Sequence, residues 1–280
     1  MAKIKIVTDS THDLPKETIE QYGIEVVPLT ISVAGKTYTD GVDIEPEEFL
    51  ERMKNSPELP KSSQPSAGAF LEVYDRLGAE GYEVLSIHMT GKMSGTVRSA
   101  ESAAGMTETN VTVVDSKFIS KALGFQVREA AIMAAEGNTM DEIVARLDEM
   151  IGNTRLYIMV DTLENLVKGG RIGKGRAFLG SLLNIKPIAS LEGAEYNPVA
   201  KVRSYTQVVK FLAKQFAEDV KGKTVKSVGI AHAGAEDLAG KVADSIREAT
   251  GFDQVEIDYT NSTVSTHTGP GAFALMYHFE

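Results

Sequence analysis

"SIHMTGKMSGTVRSA", residues 86–100, is the stretch on which the fold turns. An apolar run from Ser86 to Met89 leads through Gly91 to Ser94, Gly95 and Thr96, where a helical pattern starts. A strand that hands over to a helix in this way is the unit of open α/β sheets, which place ligands at the carboxyl ends of their strands. At such a helix start the first N–H groups lack intrahelical partners and the dipole is positive, so Ser94 and the Gly95 N–H are fitted to an anion. The plainer reading is that Ser94 caps its own helix.

Working outward, the same alternation recurs along the chain. "KIKIVT", "EVVPLTISV", "YEVLSIHM", "NVTVVD", "RLYIMV", "VKSVGIAH" and "DQVEIDY" read as strands. Helices are expected over residues 15–22, 46–55, 67–80, 95–104, 121–136, 140–150, 205–220 and 237–249. Ser66 and Thr139 stand as start signals for two of them. The fold class is α/β, with two α/β domains on mostly parallel sheets. "ISVAGKTYTDG" reads as a hairpin turning at Ala34 and Gly35. A chain of 280 residues exceeds the usual single domain, and the boundary falls near "IGNTRLYIMV", giving domains 1–153 and 154–280.

Composition narrows the function. A formal net charge of -10 disfavours broad attraction to nucleic acid or anionic lipid, so any basic patch is local. With 42% hydrophobic residues and no uninterrupted apolar run of membrane-spanning length, the chain reads as soluble and globular. The opening apolar run is too short for a signal peptide, and the lack of cysteine fits the cytoplasm.

Three further loops could carry chemistry. "VTDSTHDLP", residues 7–15, offers Asp9, His12 and Asp13 as ligands, or Ser10, Thr11 and Asp13 as turn formers and a helix cap. "LPKSSQPSAGAF", residues 59–70, holds Ser62 and Ser63 either as ligand donors or as solvated loop. "VDTLENLVKGGRIGKGRAFLGSLLNIKPI" clusters Lys168, Arg171, Lys174 and Arg176 among glycines before an apolar run that could line a pocket. It is no phosphate loop, because Lys168 stands where the first glycine is required and Gly175 where a Ser or Thr is required.

Two chemistries have weaker claims. The five histidines form no close ligand pair and no thiolate is present, so no metal site is expected. A Ser/His nucleophile would use Ser94 or Ser62 with His267, although Gly-x-Ser-x-Gly is absent and no carboxylate has an evident claim to orient His267. His88 and His232, at strand ends, read as structural, and His278 as merely terminal.

Taken in order, "VTDSTHDLP", "KSSQPS", "MSGTVRSA", "VVDSK", "LVKGGRIGK", "KPI" and "HTGPGA" resemble the DegV family, which includes the fatty-acid-binding subunits of bacterial fatty acid kinase. The resemblance covers nearly the whole chain. It implies a lipid site between two α/β domains, with one long-chain fatty acid such as palmitate as ligand and no cofactor. The carboxylate contacts carried over are Ser62, Ser94 with the Gly95 N–H, His267 and Thr268. Arg171 and Gln64 lie beside the site or at the kinase-docking face. Acyl-pocket candidates are Leu163, Phe178, Leu182, Leu183, Ile188 and Phe273.

The partners so implied are an ATP-binding kinase subunit and an acyl-phosphate acyltransferase, with transient membrane-surface contact, in phospholipid metabolism. The chain would then be no enzyme itself; a hydrolase or transferase built on the Ser/His pair is the alternative, and a DNA-associated regulator, which the acidic balance disfavours, a third. Simple physics fits the lipid reading. Burial of a methylene is worth roughly 0.8 kcal/mol, so a tail of about 14 to 18 carbons contributes about 11 to 14 kcal/mol before ordering costs. The head group would meet hydroxyls, a helix-start amide and an imidazole, donors without a strong fixed charge.

Overall fold

The computed structural model describes residues 3–178 and 185–280. In chain order its first elements are β1 (Lys3–Asp9), α1 (Lys16–Tyr22), β2 (Glu25–Val27), β3 (Thr30–Val33), β4 (Lys36–Thr39), α2 (Pro46–Asn55) and β5 (Lys61–Ser63). They continue with α3 (Ala67–Ala79), β6 (Tyr82–His88), α4 (Thr96–Ala104) and β7 (Val111–Asp115). Strands β2-β1-β6-β7 form a wholly parallel sheet, as their β-branched runs predict. The run "EVVPLTISV" does not stay one strand. It divides at Pro28, which has no N–H to donate, and β3 leaves to form a small antiparallel sheet in the order β4-β3-β5. The hairpin turns at Ala34 and Gly35, both at positive φ, as the sequence indicates.

Two helices follow, α5 (Ser120–Ala135) and α6 (Met140–Gly152). Thr139 caps the second in a reciprocal capping box with Glu142. Beyond them lie β8 (Thr154–Met159), α7 (Glu164–Lys168), β9 (Lys186–Ser190), β10 (Asn197–Val202) and α8 (Tyr205–Asp219). The last elements are β11 (Val225–His232), α9 (Glu236–Thr250), β12 (Val255–Tyr259), α10 (Ser262–Thr268) and β13 (Phe273–Phe279).

Here the expectation of mostly parallel sheets needs correction. The six-stranded sheet, order β10-β9-β8-β13-β11-β12, has only its β11–β12 pair parallel. The closing strand β13 inserts between β8 and β11 antiparallel to both. The short link from β9 to β10 allows only a hairpin, because a parallel crossover needs a dozen or more residues.

The two large sheets share one apolar core rather than owning one each. Helix α5 lies between them, buried from Ser120 to Val127, and its residues join Ile6 and Leu85 of the first sheet to Leu156, Ala274 and Met276 of the second. A helix that is buried on all sides must be apolar on all sides. Its one buried cation, Lys121, reaches out to Asp258 at 2.6 Å and Glu256 at 3.3 Å. On its other face the six-stranded sheet packs Tyr157, Met159, Phe273, Leu275, Tyr277 and Phe279 against α8 and α9.

Helix α10 is built from Ser, Thr, Val and His, residues with little helix propensity, so its start is fixed from outside. Asn261 accepts from the Val264 N–H at 2.8 Å. Asp40 accepts from the Ser262 and Thr263 N–H groups and, at 2.6 Å, from the Thr263 hydroxyl, with Ser10 donating to the same carboxylate. Asp13, in left-handed backbone, accepts from the Thr260 hydroxyl and from both the N–H and the side-chain amide of Asn261. Of the two readings of residues 7–15, the turn is seen, with Asp9 accepting from the Thr11 N–H, but Asp13 does not cap α1, whose N-cap position, Pro15, makes no side-chain hydrogen bond; among the described residues no cluster of His, Asp and Glu is arranged to hold a metal. Asp40→Ala deprives two buried amides and two hydroxyls of their acceptor, and is expected to cost about 2 to 4 kcal/mol of stability in urea unfolding.

Candidate functional site

A cavity of about 300 Å³ lies between the carboxyl ends of the parallel strands and the inner face of the six-stranded sheet. Its walls are mainly apolar, with Leu29, Met89, Ile119, Leu156, Ile158, Leu166, Leu191, Tyr196 and Val264 among them. At one end it gathers Ser62, Gln64, Ser94, Arg171, His267 and Thr268. Residues more than 200 positions apart are thus brought together by the β3–β5 pairing, the start of α4 and the end of α10.

Ser62, on β5, meets His267 Nε2 at 2.7 Å. The other ring nitrogen, Nδ1, is buried with no partner among the described residues. Gly169 packs so tightly on that nitrogen that a Cβ there would stand 2.4 Å from it, which fixes the need for glycine in "KGGR". Ser94 accepts from the Thr96 N–H at 3.3 Å and shares a 2.8 Å contact with the Thr96 hydroxyl. Ser94 thus ties the start of α4, as the plainer reading has it, and also lines the cavity. Gln64 lies against Gly95 and donates to Ser99 at 2.9 Å, which seats the loop after β5 on α4.

Two expectations are revised. Arg171 donates to the Met93 carbonyl at 3.0 Å and to the Gly169 carbonyl, and stands in the cavity wall, so the polar end does carry a fixed charge. Thr268 lines the cavity, but its hydroxyl donates to the Val264 carbonyl at 3.0 Å, as threonines near a helix end often do, and is not a free donor. Gly269, at positive φ, packs against Asn165, whose side-chain amide donates to the Thr266 carbonyl and braces the end of α10.

The acyl-pocket candidates fare less well. Ile188 and Phe273 join the outer core with Met159 and Leu275, because alternate residues of a strand face opposite sides of a sheet, although Phe273 also borders a small second void beside Ala272 and Ala274. Leu163 is buried in the shared core without lining the cavity. Leu182, Leu183 and the side chain of Phe178 lie outside the described residues. The actual walls Leu156 and Ile158 sit in "RLYIMV", where alternation was available as a signal but could not say which face was hollow.

Burial, and after it the nearby Arg171 guanidinium, press His267 down from 6.5 to about 4, so the imidazole is neutral at pH 7. In the unfolded chain the same ring takes up a proton near 6.5, so this group removes stability as pH falls from there towards about 4 and leaves it unchanged above. His267→Gln is expected to flatten that part of the acid decline, read as urea midpoints at about pH 7 and about pH 5.

With this geometry in hand, comparison with known proteins is informative. A family model described as "Uncharacterised protein, DegV family" matches residues 3–280. A DegV domain-containing protein of Listeria monocytogenes is 44% identical over 279 residues, covering 99% of each chain. Among solved structures, a fatty acid binding DegV family protein from Thermus thermophilus matches with a TM-score of 0.93 at 32% identity, covering 99% of each chain. DegV of Bacillus subtilis, described as a fatty acid binding protein, matches with a TM-score of 0.90 at 33% identity over 100% of each chain.

Proposed function

Because the chain belongs to the DegV family, we propose that it binds one long-chain fatty acid in the cavity between its two sheets and presents the carboxylate to a separate, ATP-binding kinase subunit. The observation that carries this reading is the cavity's polarity. Its apolar body ends at one cluster of donors, Ser62, Ser94, His267 and Arg171. A carboxylate buried away from water needs paired donors, and an arginine with two hydroxyls supplies them. In this reading the chain divides near residue 153, each half providing one wall of the site.

Each residue has a task. Arg171 offsets the charge, Ser62 and Ser94 donate hydrogen bonds, and the start of α4 adds the Gly95 N–H. His267, neutral at pH 7, donates or accepts according to its tautomer and gains a proton more readily with an anion beside it. The acyl phosphate made by the kinase subunit stays in the cavity until an acyltransferase collects it, with contact at a membrane surface for lipid exchange. Its place would then be the cytoplasm; among the described residues no helix is long and apolar enough to cross a membrane.

A second reading has one observation in its favour, the short Ser62–His267 contact, which is the geometry of a nucleophile and its base. Against it, an imidazole held near 4 with an unpartnered Nδ1 is a weak base at neutral pH and is oriented by no carboxylate. A fluorophosphonate probe separates the two: stoichiometric labelling of Ser62 would favour the enzyme.

Protein purified from a bacterial host is expected to carry fatty acid, detected by native mass spectrometry and solvent extraction, or to take up palmitate or oleate after stripping. Absence of both would overturn the proposal. Ser62→Ala removes one donor to the carboxylate and is expected to weaken binding by roughly tenfold or more, by competition with a fluorescent fatty acid. Arg171→Ala, in a reconstituted reaction with the kinase subunit and ATP, is expected to lower acyl phosphate formation further than it lowers lipid binding.

A further inference from the structure

The inner face of the six-stranded sheet has an uneven relief. Register pairs Ala231 with Ala274, Ala274 with Ile158 and Ile158 with Ala189, so one rung across β11, β13, β8 and β9 carries three alanines. The next inward rung holds Met276, Leu156 and Gly229, the last covered by the side chain of Lys121 from α5. Helix α5 therefore covers one rung and the alanine rung is left hollow.

A second void, of about 20 Å³, lies against Ala231, Ala272 and Ala274. It shares Ile119, Leu156, Ile158, Val264 and Thr268 with the main cavity, so these side chains border both spaces, and Ser120, Thr260 and Phe273 complete its lining. A void of ~10–15 Å³ or more, measured in this way, holds one water-sized group. Water would find few partners there, because Ser120 and Thr260 donate to Asp13 and Thr268 donates to the Val264 carbonyl. An apolar group of methyl size fits without that loss.

We propose that this void receives the methyl end of the acyl chain, and that Ala231, Ala272 and Ala274 form its floor with Ile158 as its threshold. These positions then set the chain length that the protein accepts. The inference rests on the fatty acid reading and adds the residues that decide among fatty acids. Larger side chains on the floor shorten the tail that fits; a smaller one at the threshold lengthens it.

The test is competition among saturated fatty acids, from lauric to arachidic, for stripped protein, with the bound set read by mass spectrometry. Ala274→Leu is expected to shift the bound set to shorter chains, with the preference for stearate over myristate falling about tenfold. Ile158→Ala is expected to shift it to longer chains, and keeps the test valid if the leucine variant does not fold. Ile188→Leu, on the outer face, leaves the set unchanged. A folded Ile158→Ala or Ala274→Leu protein with the native profile overturns the inference while leaving fatty acid binding intact. Wild-type protein that takes up none of these lipids overturns the underlying reading, and the inference with it.

Discussion

The site depends on one contact, the anchoring of a seven-residue helix by two carboxylates from the far side of the molecule. Helix α10 carries His267 near its end, and its sequence alone would not hold a helical turn. Asp13 and Asp40, from loops beside the parallel sheet, bind its first residues and so join the two halves of the chain beside the cavity. Burial pushes the Asp40 carboxyl up, against hydrogen bonds from Thr263, Ser10 and the Ser262 N–H that pull it down. A carboxylate so enclosed holds its place only while all those donors are present, which makes the anchor all-or-none. If it fails, Ser62 and His267 separate and the polar end of the cavity opens.

The same carboxylates explain why the middle of the molecule is hollow. Asp13 takes up the hydroxyls of Ser120 and Thr260, so polar side chains beside the cavity are turned towards each other and away from its interior. The sheet contributes the rest. Its outer face is filled by aromatic residues, with Phe216 and Tyr277 edge to face at 4.9 Å, and packs without space against α8 and α9. Its inner face carries alanines where no helix lies over it. One sheet thus separates a rigid wall from a receptive one, and each strand serves both through alternate residues.

That division also marks the limit of what the sequence discloses. Runs such as "KIKIVT" and "YEVLSIHM" declare parallel strands because β-branched residues between turn signals have few other uses. "FALMYHF" declares nothing of its parity: every residue is buried, and a continuous apolar run has no period from which a face can be read. Phe273 and Ile188 were therefore assignable to a pocket only by hydrophobicity, which both faces share. Helix α10 was illegible for another reason, since its stability resides in Asp13 and Asp40, some 220 residues or more distant in the chain. That Ser62, Ser94 and His267 meet at one cavity was legible because small polar side chains at strand ends and helix starts have few structural reasons to cluster. Their hydrogen bonds to one another were not, and these decided that Thr268 is committed elsewhere and that Arg171 faces the site.

Among the described residues two Ser–His contacts occur, and the contrast between them bears on the chemistry. In the parallel sheet Asp9, His88 and Ser86 stand in line at 3.1 and 2.7 Å, with Tyr74 at 2.7 Å beyond, all at 0% exposure. This has the order of a catalytic triad but no cavity that a substrate could enter. At the cavity Ser62 and His267 have access and no orienting acid, and a cation beside them lowers the basicity that a general base requires. Orientation and access are thus divided between two places, and acyl transfer by a serine needs both in one. What access without basicity does provide is a neutral, polarisable donor set beside a fixed positive charge, which is the chemistry that pairs with an anion.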